Sequence, residues 1–159
     1  MAAPGERKYT IRLVYVCVGI FIGLSVAATF AYHFHNFNTA LWGLCSAVPA
    51  AIALIVVIGW RRQWWEVQPG RLRGFMLVGC FIQLAGVCGF VTYLTLAITK
   101  KQGLVIYGEG YYLACVWCFM TWKWAFLLFL YSRQYWRAYS KERRALTDPD
   151  HDTTVNYGT

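Results

Sequence analysis

Carboxylates are the scarcest chemistry in this sequence. Seven Asp and Glu residues serve 159 positions, against fifteen Lys and Arg. None of the seven lies inside the four long apolar runs of the chain, and those runs hold no histidine. A catalytic constellation needs an acid, base or nucleophile held beside a partner, and the apolar runs cannot assemble one. There is also no H-E-x-x-H, no G-x-S-x-G and no glycine loop of the phosphate-cradling kind. Enzymatic activity is therefore not expected. Loop cysteines are missing too. Cys17, Cys45, Cys80, Cys88, Cys115 and Cys118 all sit in apolar runs, which excludes the disulfide framework of small secreted domains. Cys115 and Cys118 lie three apart on one helical face, but buried cysteines mostly act as small hydrophobes. No internal repeat or low-complexity tract organises the chain.

Charge as a whole is sparse. Charged residues make up 14% and apolar residues 58% of the chain, where a soluble domain carries roughly 25% and 45–50%. That apolar surplus exceeds what one small core could bury, so the class is an integral membrane protein. The length suits one compact bundle. The net charge of +8 flanks the apolar runs, which reads as membrane topology and not as a nucleic-acid surface.

What is present is four runs long enough to cross a bilayer, for which about 20 apolar residues suffice. They are Leu13–Tyr32, Ala40–Trp60 with Pro49 near its middle, Gly74–Thr99 and Tyr111–Tyr131. The fold class expected is all-α, an integral membrane four-helix bundle. Residues 1–12 form a basic lead, 13–135 the four-span transmembrane domain, and 136–159 a largely disordered tail, whose last stretch lacks apolar periodicity. The first run exceeds the 7–15 residues of a signal-peptide core, so a retained anchor is expected. Gly19 and Gly23, and then Gly79, Gly86 and Gly89, offer faces for close helix contact. Trp60, Trp64 and Trp65 fit an interfacial aromatic belt. Twelve of the fifteen Lys and Arg flank the ends or the middle loop, whereas the other two loops hold only Lys100 and Lys101. Both termini are thus expected in the cytosol.

One charge stands inside a span. Lys123 has no acidic partner in any of the four runs, and an intramembrane cation usually pairs with something and marks a pathway. Two readings stay open: it bonds backbone carbonyls or a water, or it meets an anionic ligand inside the bundle. Trp117, Trp122 and Trp124 are its sequence neighbours, and an ammonium among indoles suits a flat, aromatic, anionic guest. His33 and His35 lie at the exit of the first span, where imidazole could bind a transition metal or simply be solvated. At the other end, Tyr131-Ser132-Arg133-Gln134-Tyr135 sets an arginine between two tyrosines. Tyrosine can ligate haem iron and arginine suits carboxylates, although the same residues serve as ordinary interfacial anchors. Haem, with an iron, a flat ring and two propionates, would match all three clues.

The chain resembles the haem-responsive-gene family of haem transporters, solute carrier family 48. The resemblance rests on Leu72-Arg73-Gly74-Phe75, Leu96-Ala97-Ile98-Thr99, Gln102, Tyr111-Tyr112-Leu113, Val116-Trp117 and Phe119. It continues through Lys123-Trp124-Ala125-Phe126-Leu127-Leu128, Leu130-Tyr131 and Tyr135, and His35-Asn36-Phe37 resembles a His-Asn-aromatic element at the end of span one. It is weaker in spans one and two. The resemblance implies an aromatic-basic motif, Phe-Ala-Arg-Lys-Tyr or a variant, at Tyr131–Tyr135, where this chain has Gln134 at the second basic position. Near Val57 the family carries a His or Tyr, and Lys101 stands where it has a lumenal histidine; Tyr107, Tyr111, Tyr112 or a lysine would substitute.

The expected function is movement of haem, as transported substrate, from an endolysosomal lumen or the exterior into the cytosol. His35, with His33, receives the iron; Lys123 counters a propionate beside Trp117; and Tyr131, Arg133 and Tyr135 release the haem. A non-transporting membrane organiser that binds a protein partner is the alternative. The expected membrane is that of endosome or lysosome, with the plasma membrane as alternative. Four short helices enclose little space, which leaves room for a homo-oligomer.

Overall fold

The computed structural model describes residues 6–147. All its regular structure is helical: α1 (Glu6–Tyr32), α2 (Phe37–Arg61), the single turn α3 (Trp64–Val67), α4 (Arg71–Thr99) and α5 (Tyr111–Thr147). Four of these are long and apolar enough to cross a membrane. Helix is the form those runs must take, because hydrocarbon offers no partner for an unpaired backbone group.

The four long helices pack as α1–α2–α5–α4, with α2 and α5 in the middle. The central pair carries most of the buried side chains, including Ala50, Ala53, Val56 and Val57 of α2 and Ala125 and Leu128 of α5. The outer pair is attached through small residues. A Cβ on Gly23 would come within 3.0 Å of Ser46 Oγ and 3.1 Å of the Gly43 carbonyl, so α1 and α2 meet almost backbone to backbone. On the other flank Gly79 and Gly86 lie against the α5 backbone at Ala125 and Cys118. Between apolar helices in lipid the hydrophobic effect contributes little, and such close seams supply the van der Waals contact that holds them.

Two features differ from the sequence reading, for one reason. α5 runs to Thr147, well past the point where a disordered tail is expected; residues 148–159 lie outside the described ones. Tyr131, Tyr135 and Tyr139 recur every four residues and so fall on one face, and Tyr135 and Tyr139 are buried. Trp60 stacks on Tyr135 with ring centroids 4.7 Å apart and 14° between planes, and meets Tyr139 edge-on at 4.8 Å. Trp65 is buried above Gly59, and its Nε1–H donates to the Val56 carbonyl at 3.2 Å. Of the three tryptophans expected in an interfacial belt, Trp64 is exposed while Trp60 and Trp65 turn inward. Aromatic packing, which a charge count does not register, extends the helix.

Candidate functional site

The last turns of α5 and the first turns of α1 form a cleft of about 570 Å³. Its wall on α5 includes Tyr131, Arg133, Gln134, Arg137 and Lys141, and α1 contributes Arg12. Among the described residues that line it, four are cationic and none is a carboxylate. Arg12 is fixed by two donated hydrogen bonds, from Nη2 to Gln134 Oε1 at 2.8 Å and from Nη1 to the Tyr135 hydroxyl at 3.3 Å. Its guanidinium also lies 4.9 Å above the Tyr131 ring and 5.9 Å from that of Tyr135. Of the motif residues, Tyr131 and Arg133 line the cleft. Tyr135 does not: it is fully buried beneath Arg12 against Trp60.

Lys123 lies on the same helix, eleven residues before Gln134, or about 16 Å deeper at 1.5 Å per residue. Its Nζ sits 4.6 Å from the Trp124 ring and 5.5 Å from that of Tyr15 on α1. The two rings approach each other at 5.0 Å, and Trp124 fits there because Gly19 has no Cβ to block it. Neither of the ion pairs described, Arg61–Glu6 and Lys100–Glu109, involves Lys123. A lysine at mid-membrane costs about 3 kcal/mol on insertion scales. Two aromatic faces return on the order of 1–2 kcal/mol. The charge is therefore soothed but not cancelled.

Trp117 and Trp122 do not share in this contact. Trp122 stacks between Phe119 and Phe126 and packs on Gly86 of α4. Trp117 is half-buried, and its carbonyl accepts from Thr121 Oγ1 at 2.9 Å.

The histidines and the α4–α5 loop occupy the opposite end. His33 and His35 are both exposed, and seventeen residues of α1 separate Tyr15 from Tyr32 beside them, roughly 25 Å. His35 has a left-handed backbone (φ 51°), which turns the chain into α2. The organising residue there is Asn36. It is fully buried, accepts from the Thr39 N–H at 3.1 Å as the N-cap of α2, and donates to the Ile106 carbonyl at 3.4 Å. The Gly108 N–H donates to the Phe34 carbonyl at 3.1 Å, and Phe34 meets Tyr107 edge-on at 5.1 Å. The loop is clasped to itself as well. Lys100 Nζ donates to the Tyr111 hydroxyl at 2.7 Å, and that hydroxyl donates to Glu109 at 2.5 Å. The bond to Tyr111, helped by the Glu109 carboxylate, holds Lys100 above the usual lysine range. Tyr111 is thus buried and engaged, whereas Tyr112 beside it is half-buried.

Sequence reasoning missed Arg12 and Tyr15 as site residues, since nothing local to α1 points at α5. Asn36 had a readable signal, an Asn three residues ahead of the Thr39 amide it caps. No group of three or more His, Cys, Asp or Glu able to hold a metal occurs among the described residues.

A family model described as "Haem-transporter, endosomal/lysosomal, haem-responsive gene" matches residues 72–124, from the start of α4 to the residue after Lys123. The chain is also similar to "Heme transporter hrg-1" of Caenorhabditis elegans, 27% identical over 150 residues that cover 87% of this chain and 74% of the relative. No solved structure matches. The first match covers α4, the clasped loop and α5 as far as Trp124, and the second runs along most of the chain, so the chain is similar to the haem transporters of the haem-responsive-gene family.

Proposed function

We propose that this multi-pass protein of the endolysosomal membrane carries haem to the side on which its basic cleft opens, and that this side is the cytosol. The observation that carries the reading is the cleft together with Lys123. Five cations, Arg12, Lys123, Arg133, Arg137 and Lys141, project from α1 and α5, and none of them takes part in an ion pair among the described residues. Two propionates would supply the missing negative charge, and arginine binds carboxylates with two parallel hydrogen bonds. A volume of about 570 Å³ falls within the range of small-molecule sites. Orientation is supported by the twelve Lys and Arg of the termini and middle loop against the two at the opposite end.

Each residue then has a chemical task. His35, exposed at the lumenal end, offers an imidazole to arriving iron, with His33 beside it. Lys123 draws a propionate into the bundle. Tyr131 presents a phenol at the edge of the cleft, and Arg133 and Arg137 take the propionates there. Arg12 makes good a departure from the family motif: where that motif has a second basic residue, this chain has Gln134, and Gln134 holds Arg12 in its place.

The test is haemin titration of the purified chain in detergent, followed by its Soret band, beside growth of haem-auxotrophic cells on low haem. Binding that weakens in Arg12→Gln and in Arg133→Gln/Arg137→Gln, with growth lost in Lys123→Ala and His35→Ala at normal expression, is expected. Wild-type behaviour of all four would overturn the site.

A further inference from the structure

A second basic cleft, of about 650 Å³, lies between α5 and the start of α4. It is lined by the Pro69-Gly70 turn, Arg73, Trp136, Arg143 and Arg144, with Ser140 between them. Trp136, Ser140, Arg143 and Arg144 follow one another at spacings of four, three and one, which puts them on one helical face, next to the face that carries Arg137 and Lys141 of the first cleft. Arg73 is aligned by Trp136, its guanidinium 4.7 Å above the indole. Among the described residues that line the cleft none is a carboxylate.

Its depth is set by α4 and not by α1. Arg73 is the last charge before the apolar run of α4, so the cleft lies at headgroup depth. α4 is also an outer helix with few buried residues, so lipid adjoins the cleft along that flank. Arginines beside a tryptophan at the membrane surface are the groups that hold anionic lipid. We infer that this cleft binds the phosphorylated headgroup of an anionic membrane lipid. Arg73 and Arg144 contact the phosphates, Ser140 offers a hydroxyl, and Trp136 lies at the boundary between headgroup and acyl chain. Only the choice of leaflet rests on the orientation proposed above.

Native mass spectrometry of the full chain in detergent tests this, with a short-chain phosphatylinositol bisphosphate, phosphatidylserine and free inositol bisphosphate as probes. Retained adducts with the phosphoinositide are expected, weakened about tenfold or more in Arg73→Gln/Arg144→Gln and recovered in Arg73→Lys/Arg144→Lys. Arg12→Gln/Arg133→Gln, in the other cleft, keeps the adducts, and Arg73→Gln/Arg144→Gln keeps the haemin Soret shift. Equal loss from both pairs of substitutions would mean diffuse attraction and no site. Equally tight retention of free inositol bisphosphate would mean a soluble ligand, and unchanged lipid binding in Arg73→Gln/Arg144→Gln would end the proposal. None of these results depends on whether haem is transported.

Discussion

The two ends of the bundle treat positive charge in opposite ways. At the histidine end, Lys100 is neutralised inside the chain, by the Tyr111 hydroxyl at 2.7 Å and the Glu109 carboxylate at 3.9 Å. Asn36 and the Phe34–Tyr107 contact then fasten the two loops together. At the basic end, guanidinium groups lie over aromatic rings and beside an amide, and two clefts stay open between helices. One end is closed by its own chemistry. The other holds one exposed pair, Arg61–Glu6 at 3.5 Å, while no carboxylate among the described residues lines its two clefts, which is how a docking place for anions differs from a clasp.

The strongest test of this contrast is Lys123→Met, which keeps the length of the side chain and removes the charge. Transport should be lost, measured as growth of haem-auxotrophic cells. Stability should rise by about 1 kcal/mol, because the cost of the cation exceeds what the Tyr15 and Trp124 rings return. A fall in Tm with transport intact would make Lys123 structural. Next comes Arg12→Gln, for which haemin affinity should drop about tenfold, the weight of one charge-assisted hydrogen bond. Unaltered affinity would remove α1 from the cleft. Asn36→Ala acts at the other end. Loss of the cap and of the bond to Ile106 should cost about 1–2 kcal/mol, seen as a lower Tm in detergent, while haemin binding at the basic end is unchanged. The smallest effect is expected for Glu109→Gln. Its carboxylate is largely exposed, exposed pairs contribute little, and Tm should not move; a large shift would mean that this pair, and not Asn36, is the clasp.

How much of this was legible in the sequence follows from which contacts are local. The four membrane-crossing helices were visible because length and apolarity are properties of a segment. The isolation of Lys123 could also be counted, since Glu109 and Glu142 are the nearest acids on either side. Its ring partner Trp124 is an adjacent residue, whereas Tyr15 lies more than a hundred positions away and needed the fold. Arg12 was hidden for the same reason: in the sequence it is one of three basic residues in a leading segment, and only the approach of α1 to α5 sets it on Gln134. Trp60, Trp65 and Tyr135 were misplaced because an amphipathic aromatic beside arginines fits an interface as well as a core. What separates the two is tertiary: Trp65 has the bare backbone of Gly59 to lie on, and Trp60 has the face of Tyr135.

Gln134 carries a consequence of its own. An amide oxygen orients the Arg12 guanidinium without cancelling its charge, so the positive field survives intact for a visitor. Exchanging that amide nitrogen for oxygen, as in Gln134→Glu, would install a tethered mimic of the cargo's own acid group. The protein would then be its own competitive inhibitor, folded as before and with its doorway already taken.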